Sequence, residues 1–145
     1  MSVRRQVTGI DAVAVARAFA GEAAWFWLDG GGSSSYLGVA ERVLLAERGR
    51  EREFLAELRR LCEPGAEGRE QDPGAGFSGG WVVALGYEFG VGLLGLEPLP
   101  DDAPPAFALR AETVLRVDRE RAELIGPSDA ALDAWLPPFG AGEPG

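Results

Sequence analysis

Apolar residues fill one stretch of the chain so completely that it predicts a buried strand. Between residues 77 and 90 no charged side chain occurs before Glu88. In an extended chain Trp81 and Val83 would point to one side and Val82 to the other, so neither side offers water a charged group. We therefore expect a central strand near residues 80–88, covered on both faces by the rest of the protein.

Helical periodicity predicts three helices around this strand. The first spans residues 11–20, with Asp11 as its N-cap and with Ile10, Val13 and Phe19 as its apolar stripe. The last begins after Ser128 and must end before Pro137.

The second helix has the clearest pattern and spans residues 50–62. Its apolar residues recur at helical spacing and its charged residues lie largely on the other side. Cys62 ends the apolar stripe, and we interpret it as a small core residue.

Period-two patterns predict the remaining strands. Residues 25–28, 36–40 and 43–46 are expected to form a β-meander. Residues 106–117 alternate as one strand, with a charged turn after Asp118 leading back through Ile125. The predicted class is α+β, a mostly antiparallel sheet covered by two or three helices, with a domain over residues 1–136 and a linker or disordered tail over 137–145.

Charge and length narrow the classes of partner. The 145 residues carry a net charge of -9 with a sequence pI near 4.5, which disfavours nucleic acid and anionic membranes as partners. No apolar run approaches the ~20 residues of a membrane span. A single cysteine and no leader-like start indicate a soluble, cytoplasmic protein without an internal disulfide.

The composition also restricts catalysis. The chain has no histidine, and all its basic residues are arginine. This excludes imidazole bases, histidine metal ligands, Schiff-base lysines and the lysine of a phosphate loop. An independent enzyme is therefore the least favoured of the function classes.

Three short motifs could indicate binding sites, but each has a simpler structural interpretation. Residues 90–95 fit the G-x-G-x-x-G pattern, but the prolines that follow leave no room for a nucleotide-binding helix, so we favour a tight turn. Residues 30–35 could bind an anion through backbone amides, although a flexible hairpin loop is the simpler interpretation. Asp101 and Asp102 could hold a cation, but adjacent carboxylates in a proline-rich loop are usually solvated.

Three segments together resemble the N-terminal region of component I of anthranilate synthase and aminodeoxychorismate synthase. The first is Phe-Trp-Leu-Asp at 26–29 with Ser-Tyr-Leu-Gly at 35–38. The second is the Gly-Gly-Trp to Gly-Tyr-Glu strand at 79–88, and the third is the proline-rich passage and charged hairpin at 104–125. Their order and spacing agree with the family over roughly residues 24–135. The sequence at 26–29 is slightly more similar to the aminodeoxychorismate branch.

The resemblance implies half of the synthase component I sandwich, present as a fragment or a separately encoded half. In that family the chorismate site, its Mg²⁺ ligands and the acid/base residues belong mainly to a C-terminal domain that this sequence lacks. The chain would therefore be inactive alone and carry no cofactor. Its partners would be the chorismate-binding catalytic domain and the glutamine amidotransferase subunit of a synthase making folate or tryptophan precursors.

The family's N-terminal region can also carry a tryptophan pocket. The resemblance carries that pocket to five positions, and we add two at the end of the predicted central strand; the candidate set is Leu28, Asp29, Gly30, Ser35, Tyr36, Tyr87 and Glu88. The sequence differs from the family's pattern at three places. The family often has serine where this chain has Gly30, and arginine where it has Ser33 or Ser34. Glycine is common in the family at the position of Val83. The charge that would hold an amino acid is thus missing from its usual place.

A second hypothesis comes from another class. The chain could be a stand-alone α+β module that binds a small ligand in the neighbourhood of Trp25, Trp27, Tyr87 and Glu88.

Overall fold

The computed structural model confirms the α+β class. It describes residues 2–29, 34–63, 77, 79–97, 103–119 and 121–135. In these ranges the chain forms eight strands in two antiparallel sheets and four α-helices, rather than two or three helices on one sheet. In chain order the elements are β1 Val3–Val7, α1 Ala12–Ala18, β2 Trp25–Asp29, β3 Ser34–Val39, β4 Arg42–Leu45, α2 Glu51–Leu61, β5 Gly80–Leu85, α3 Tyr87–Leu93, β6 Ala106–Ala111, β7 Val114–Asp118, β8 Ala122–Gly126 and α4 Asp129–Trp135.

The chain divides into two compact units. The first comprises Met1–Glu41, Gln71–Gly80 and Ala111–Gly145, and the second comprises Arg42–Glu70 and Trp81–Arg110. Residues 64–76 of the predicted loop, most of the proline-rich segment at 98–105 and the predicted tail at 137–145 lie outside the described residues.

The first unit is a five-stranded antiparallel sheet in the order β1-β8-β7-β3-β2. Its core lies on one face, which we call the helix-covered face. There Leu37, Leu115 and Leu124 are fully buried together with Val15 of α1 and Leu132 of α4. Each such side chain contributes about 1.5–3 kcal/mol of hydrophobic stabilisation, so this face holds the unit together.

Side-chain caps start both helices of the first unit, as predicted. The Asp11 carboxylate accepts a hydrogen bond from the Ala14 amide at 3.2 Å, and the Ser128 hydroxyl accepts one from the Ala131 amide at 3.1 Å. The prediction for Val13 is wrong, because its side chain is 44% exposed. Val15 and Phe19, four residues apart, occupy the core side of this segment instead.

An arginine joins the first strand to the last helix. Arg5 of β1 donates to Asp133 at 2.6 Å and to Asp129 at 3.1 Å. These two hydrogen bonds raise the pKa of the Arg5 guanidinium, so α4 is attached to the sheet by charge as well as by the packing of Leu132.

The second unit is a three-stranded sheet in the order β4-β6-β5 with helices α2 and α3. Its core contains Phe54 and Phe89, whose ring centroids lie 5.7 Å apart, packed with Ala106 and Ala108 of β6. The predicted second helix is confirmed as α2. Cys62 follows its last turn and is exposed, so its assignment to the core is wrong.

The expected buried central strand is also wrong. In the described part of the chain β5 ends the three-stranded sheet, and Val83 and Leu85 are exposed. The helix α3 begins at Tyr87, where we expected the strand to continue. A strand that is apolar on both faces is buried only if other elements cover both of those faces. In this unit the middle strand β6 carries buried core residues instead.

Two further strand predictions require correction. The alternating segment 106–117 is two strands, because β6 joins the three-stranded sheet and β7 the five-stranded one. Residues 108–111 are buried consecutively, which breaks the period of two at this point. The expected meander fails for the same reason, since β3 pairs with β2 and β7 whereas β4 pairs with β6. The hairpin of β7 and β8 is confirmed.

Candidate functional site

Strand alternation divides four of the predicted pocket residues between the two faces of the five-stranded sheet. In the β2–β3 ladder Leu28 lies opposite Tyr36, and Asp29 lies opposite Ser35. Asp29 and Ser35 share the helix-covered face, where the Ser35 hydroxyl donates to Asp29 over 3.5 Å. Leu28 and Tyr36 belong to the other face, which we call the second face. Gly30 lies outside the described residues.

The second face carries a group of aromatic rings. Phe77 packs perpendicular to Tyr36, with 5.6 Å between ring centroids, and edge-on to Phe26 at 6.2 Å. Leu28, opposite Tyr36, is exposed beside them. Phe26 lies close to β3 because Gly38 has no side chain; a Cβ there would approach the Phe26 ring to 2.7 Å. Phe26 itself is buried, so the apolar surface open to a flat ring comes from Leu28, Tyr36 and Phe77.

Strand β7 supplies charges next to these rings. Arg116 lies opposite Tyr36 in the β3–β7 ladder, and Asp118 lies opposite Ser34. The Ser34 hydroxyl donates to Asp118 at 2.5 Å, and Arg116 Nε donates to the Ser34 hydroxyl at 3.3 Å. Arg116 Nε and Asp118 Oδ1 are 3.5 Å apart, and the two side chains are 33% and 34% exposed. A cation and an anion are therefore held in place while both remain accessible to solvent.

We call this set of residues the aromatic–polar patch. It consists of Phe26, Leu28, Ser34, Tyr36, Phe77, Arg116 and Asp118. Its chemistry suits a ligand with a flat apolar body and both a positive and a negative group, because the carboxylate can accept from an ammonium and the guanidinium can donate to a carboxylate.

Sequence reasoning missed Phe77, Arg116 and Asp118 as site residues. The alternation of the segment 106–117 does put Arg116 and Asp118 on its polar side, but it does not reveal which strand lies beside them. The register with β3 brings them to Tyr36. An arginine therefore lies beside Ser34 and Tyr36, although none directly precedes Ser35 in the sequence.

Tyr87 and Glu88 belong to the second unit, in the first turn of α3. Tyr87 is 86% exposed and Glu88 is partly buried. The helix starts here because Gly86 is extended and its amide donates to the carbonyl of Pro105 at 2.8 Å. Nearby, within α3, lie Gly90 and Gly92 of the G-x-G-x-x-G pattern. The predicted tight turn is therefore largely helix, with Gly95 in a left-handed conformation after its end.

Neither a metal cluster nor a membrane-spanning helix is found in the described ranges. There, no group of three or more acidic or cysteine side chains could hold a metal ion. None of the described helices is both long and apolar enough to cross a membrane. Asp101 and Asp102, the candidate cation ligands, lie outside the described residues.

No protein-family model matches this sequence, and no curated protein matches it significantly. The assignment of the site therefore rests on its geometry and on the motifs in the sequence.

Proposed function

We propose that this chain is a non-catalytic N-terminal domain of a chorismate-utilising synthase component I. In this proposal the aromatic–polar patch binds an aromatic amino acid, tryptophan, as an effector. The observation that carries the proposal is the pair Arg116 and Asp118 beside Tyr36 and Phe77. The resemblance leads to a pocket on the β2–β3 hairpin, and this pair supplies the charges missing from that hairpin.

The geometry supports a specific mode of binding. The indole would lie against Tyr36 and Phe77, the α-ammonium would donate to Asp118, and the α-carboxylate would accept from Arg116. Ser34 holds the two charged side chains in place, which lowers the entropic cost of ordering them on binding.

The second unit supports the docking part of the proposal. Leu85, Tyr87, Leu94 and Leu96 follow one another along β5, α3 and its C-terminal end, and all four are exposed. Exposed apolar patches rimmed by polar residues commonly mark protein interfaces. Here the partner would be the chorismate-binding catalytic domain, which would supply the Mg²⁺ ligands and work with a glutamine amidotransferase. A cytoplasmic location accords with that pathway.

Calorimetric titration of the whole chain with L-tryptophan tests the effector site. We expect saturable binding that weakens about tenfold or more in Arg116→Gln and in Asp118→Asn, because each change removes a charge-assisted hydrogen bond to the ligand. Arg17→Gln is the matched control, since Arg17 is an exposed arginine of α1 outside the patch. Absence of binding, or equal affinities in all three variants, would exclude this role for the patch.

Affinity capture tests docking. The chain should retain a chorismate-binding domain encoded in the same genome, and Leu85→Asp or Tyr87→Asp should weaken the complex by placing a charge in an apolar interface. Val13→Asp provides the control, because Val13 is an exposed valine of the first unit. Retention unaffected by either second-unit change would mean that this surface does not form the contact.

A stand-alone ligand-binding module is the second candidate, because every member of the aromatic–polar patch belongs to the first unit. Tryptophan binding by the isolated monomer, together with failure to capture any chorismate-binding domain, would favour this candidate over the first.

A further inference from the structure

A cavity of about 270 Å³ opens at the end of the five-stranded sheet. The segment between β1 and α1, residues 8–10, forms one wall. The ends of β7 and β8 form the other, with Arg119 and Arg121 in the turn that joins them. The Gly9 backbone, at φ 70°, is left-handed, a conformation that lets the chain turn out of β1.

The cavity lining combines apolar side chains with polar and charged groups. Val7, Ile10, Val117 and Ala122 provide the apolar part. Val7, Val117 and Ala122 lie side by side in the sheet, because Val7 pairs with Ala122 and Ala122 pairs with Val117. A ligand there would contact a continuous hydrocarbon surface.

The charged side chains at the turn between β7 and β8 differ in whether they have a described partner. The Asp118 carboxylate is held by Ser34 and Arg116. By contrast, no described carboxylate forms an ion pair with the guanidinium of Arg119 or Arg121. Glu120 lies between them in the sequence and outside the described residues. The described lining thus offers two arginines that form no ion pair with a described carboxylate, at the edge of a cavity that is partly apolar.

We propose that this cavity binds a small organic anion. The apolar body of the ligand would contact Val7, Val117 and Ala122, and its carboxylate or phosphate would accept hydrogen bonds from Arg119 and Arg121. The site is distinct from the aromatic–polar patch, with which it shares only Asp118, and it does not depend on the proposed synthase function.

The volume limits the size of the ligand. A cavity of about 270 Å³ lies below the ~300–1,000 Å³ of pockets for drug-sized molecules. At about 30 Å³ for each water it corresponds to roughly nine waters, and hence to a ligand of about that many non-hydrogen atoms. Benzoate has this size and polarity, and it is the probe of choice.

Titration of the full chain with benzoate, phenyl phosphate and the neutral benzamide, followed by amide chemical shifts, tests the proposal. We expect at least one of the two anions to bind, with shifts centred on residues 8–10 and 122, and benzamide to bind about tenfold or more weakly. Preference for benzoate would identify a carboxylate ligand, and preference for phenyl phosphate a phosphate ligand.

The variant Arg119→Gln/Arg121→Gln should lose about tenfold or more in affinity for the anion, whereas Arg17→Gln should not. L-tryptophan affinity should be unchanged in the double variant, because neither arginine belongs to the patch. The proposal is overturned if neither anion binds at millimolar concentration, if benzamide binds as well as the tighter of the two anions, or if the double variant keeps its affinity for that anion.

Discussion

The two compact units bury their apolar side chains to different degrees. In the first, the strands β3, β7 and β8 each place at least one fully buried leucine in a core that two helices cover. In the second, exposed apolar side chains are frequent. Of the eleven large hydrophobic residues that are exposed in the described ranges, eight belong to it: Val43, Leu45, Leu55, Val83, Leu85, Tyr87, Leu94 and Leu96.

The helices of the two units also differ in whether a side chain caps their N-termini. Asp11 and Ser128 cap the two helices of the first unit through their side chains. Helices α2 and α3 of the second unit have Arg50 and Gly86 at their N-cap positions, and neither residue makes a side-chain cap. A side-chain cap typically contributes about 1 kcal/mol. The first unit therefore has both local and tertiary stabilisation, whereas the second leaves more of its large apolar side chains exposed and has no side-chain caps on its described helices.

The largest expected effect comes from comparing a buried leucine of the first unit with an exposed leucine of the second. Leu115→Ala removes a fully buried side chain from the first unit and should lower the free energy of unfolding by about 2–5 kcal/mol. Leu85→Ala in the second unit should change it by less than about 0.5 kcal/mol, because Leu85 is 57% exposed. Urea denaturation of both variants measures the difference. Equal losses would contradict the contrast between the units.

A pair of glycines in α3 gives the next largest effect. A Cβ at Gly92 would collide with the carboxylate of Glu51, which is buried and accepts the Gly49 amide hydrogen bond at 3.0 Å. Gly92→Ala should therefore destabilise the protein by about 1–3 kcal/mol.

Gly90→Ala is the matched control in the same helix. A Cβ at Gly90 meets nothing within 4 Å. This change should therefore stabilise the protein by about 0.4–1 kcal/mol, because alanine lowers the conformational entropy of the unfolded chain. Thermal unfolding of the two variants should shift in opposite directions. A shift in the same direction would show that Glu51 moves aside without loss.

The smallest effect concerns a local ion pair of the second unit. Arg60 donates to the Glu57 carboxylate at 3.2 Å and 2.5 Å and holds the pKa of Glu57 below its ordinary value of 4.5. The stabilisation is therefore present at neutral pH and is lost as the pH falls below 4.5 through the lowered pKa. Arg60→Gln should raise the pKa of Glu57, measurable by NMR titration, with hardly any change in the melting temperature because both groups are solvent-exposed.

The candidate site illustrates what local pattern can predict. The Trp-Leu-Asp and Ser-Tyr-Leu segments were expected as neighbouring strands, and they pair in register from Trp25 to Asp29. Alternation also indicated that Arg116 is on a polar side. That Arg116 lies beside Ser34, 82 positions away, could not be predicted, because strand pairing across such a distance depends on the packing of the whole unit.

The sequence by itself determined the α+β class, the helix 51–61, the two capped helices and the β7–β8 hairpin. Each of these depends on interactions between residues close together in the chain, such as a cap, an apolar stripe or a tight turn. The tertiary structure alone decided that β5 ends its sheet, that β6 and β7 belong to different sheets, and that Arg116 and Asp118 join Tyr36. An apolar strand shows the same pattern at the edge of a sheet as at its centre, because periodicity records which side chains avoid water and not what covers them.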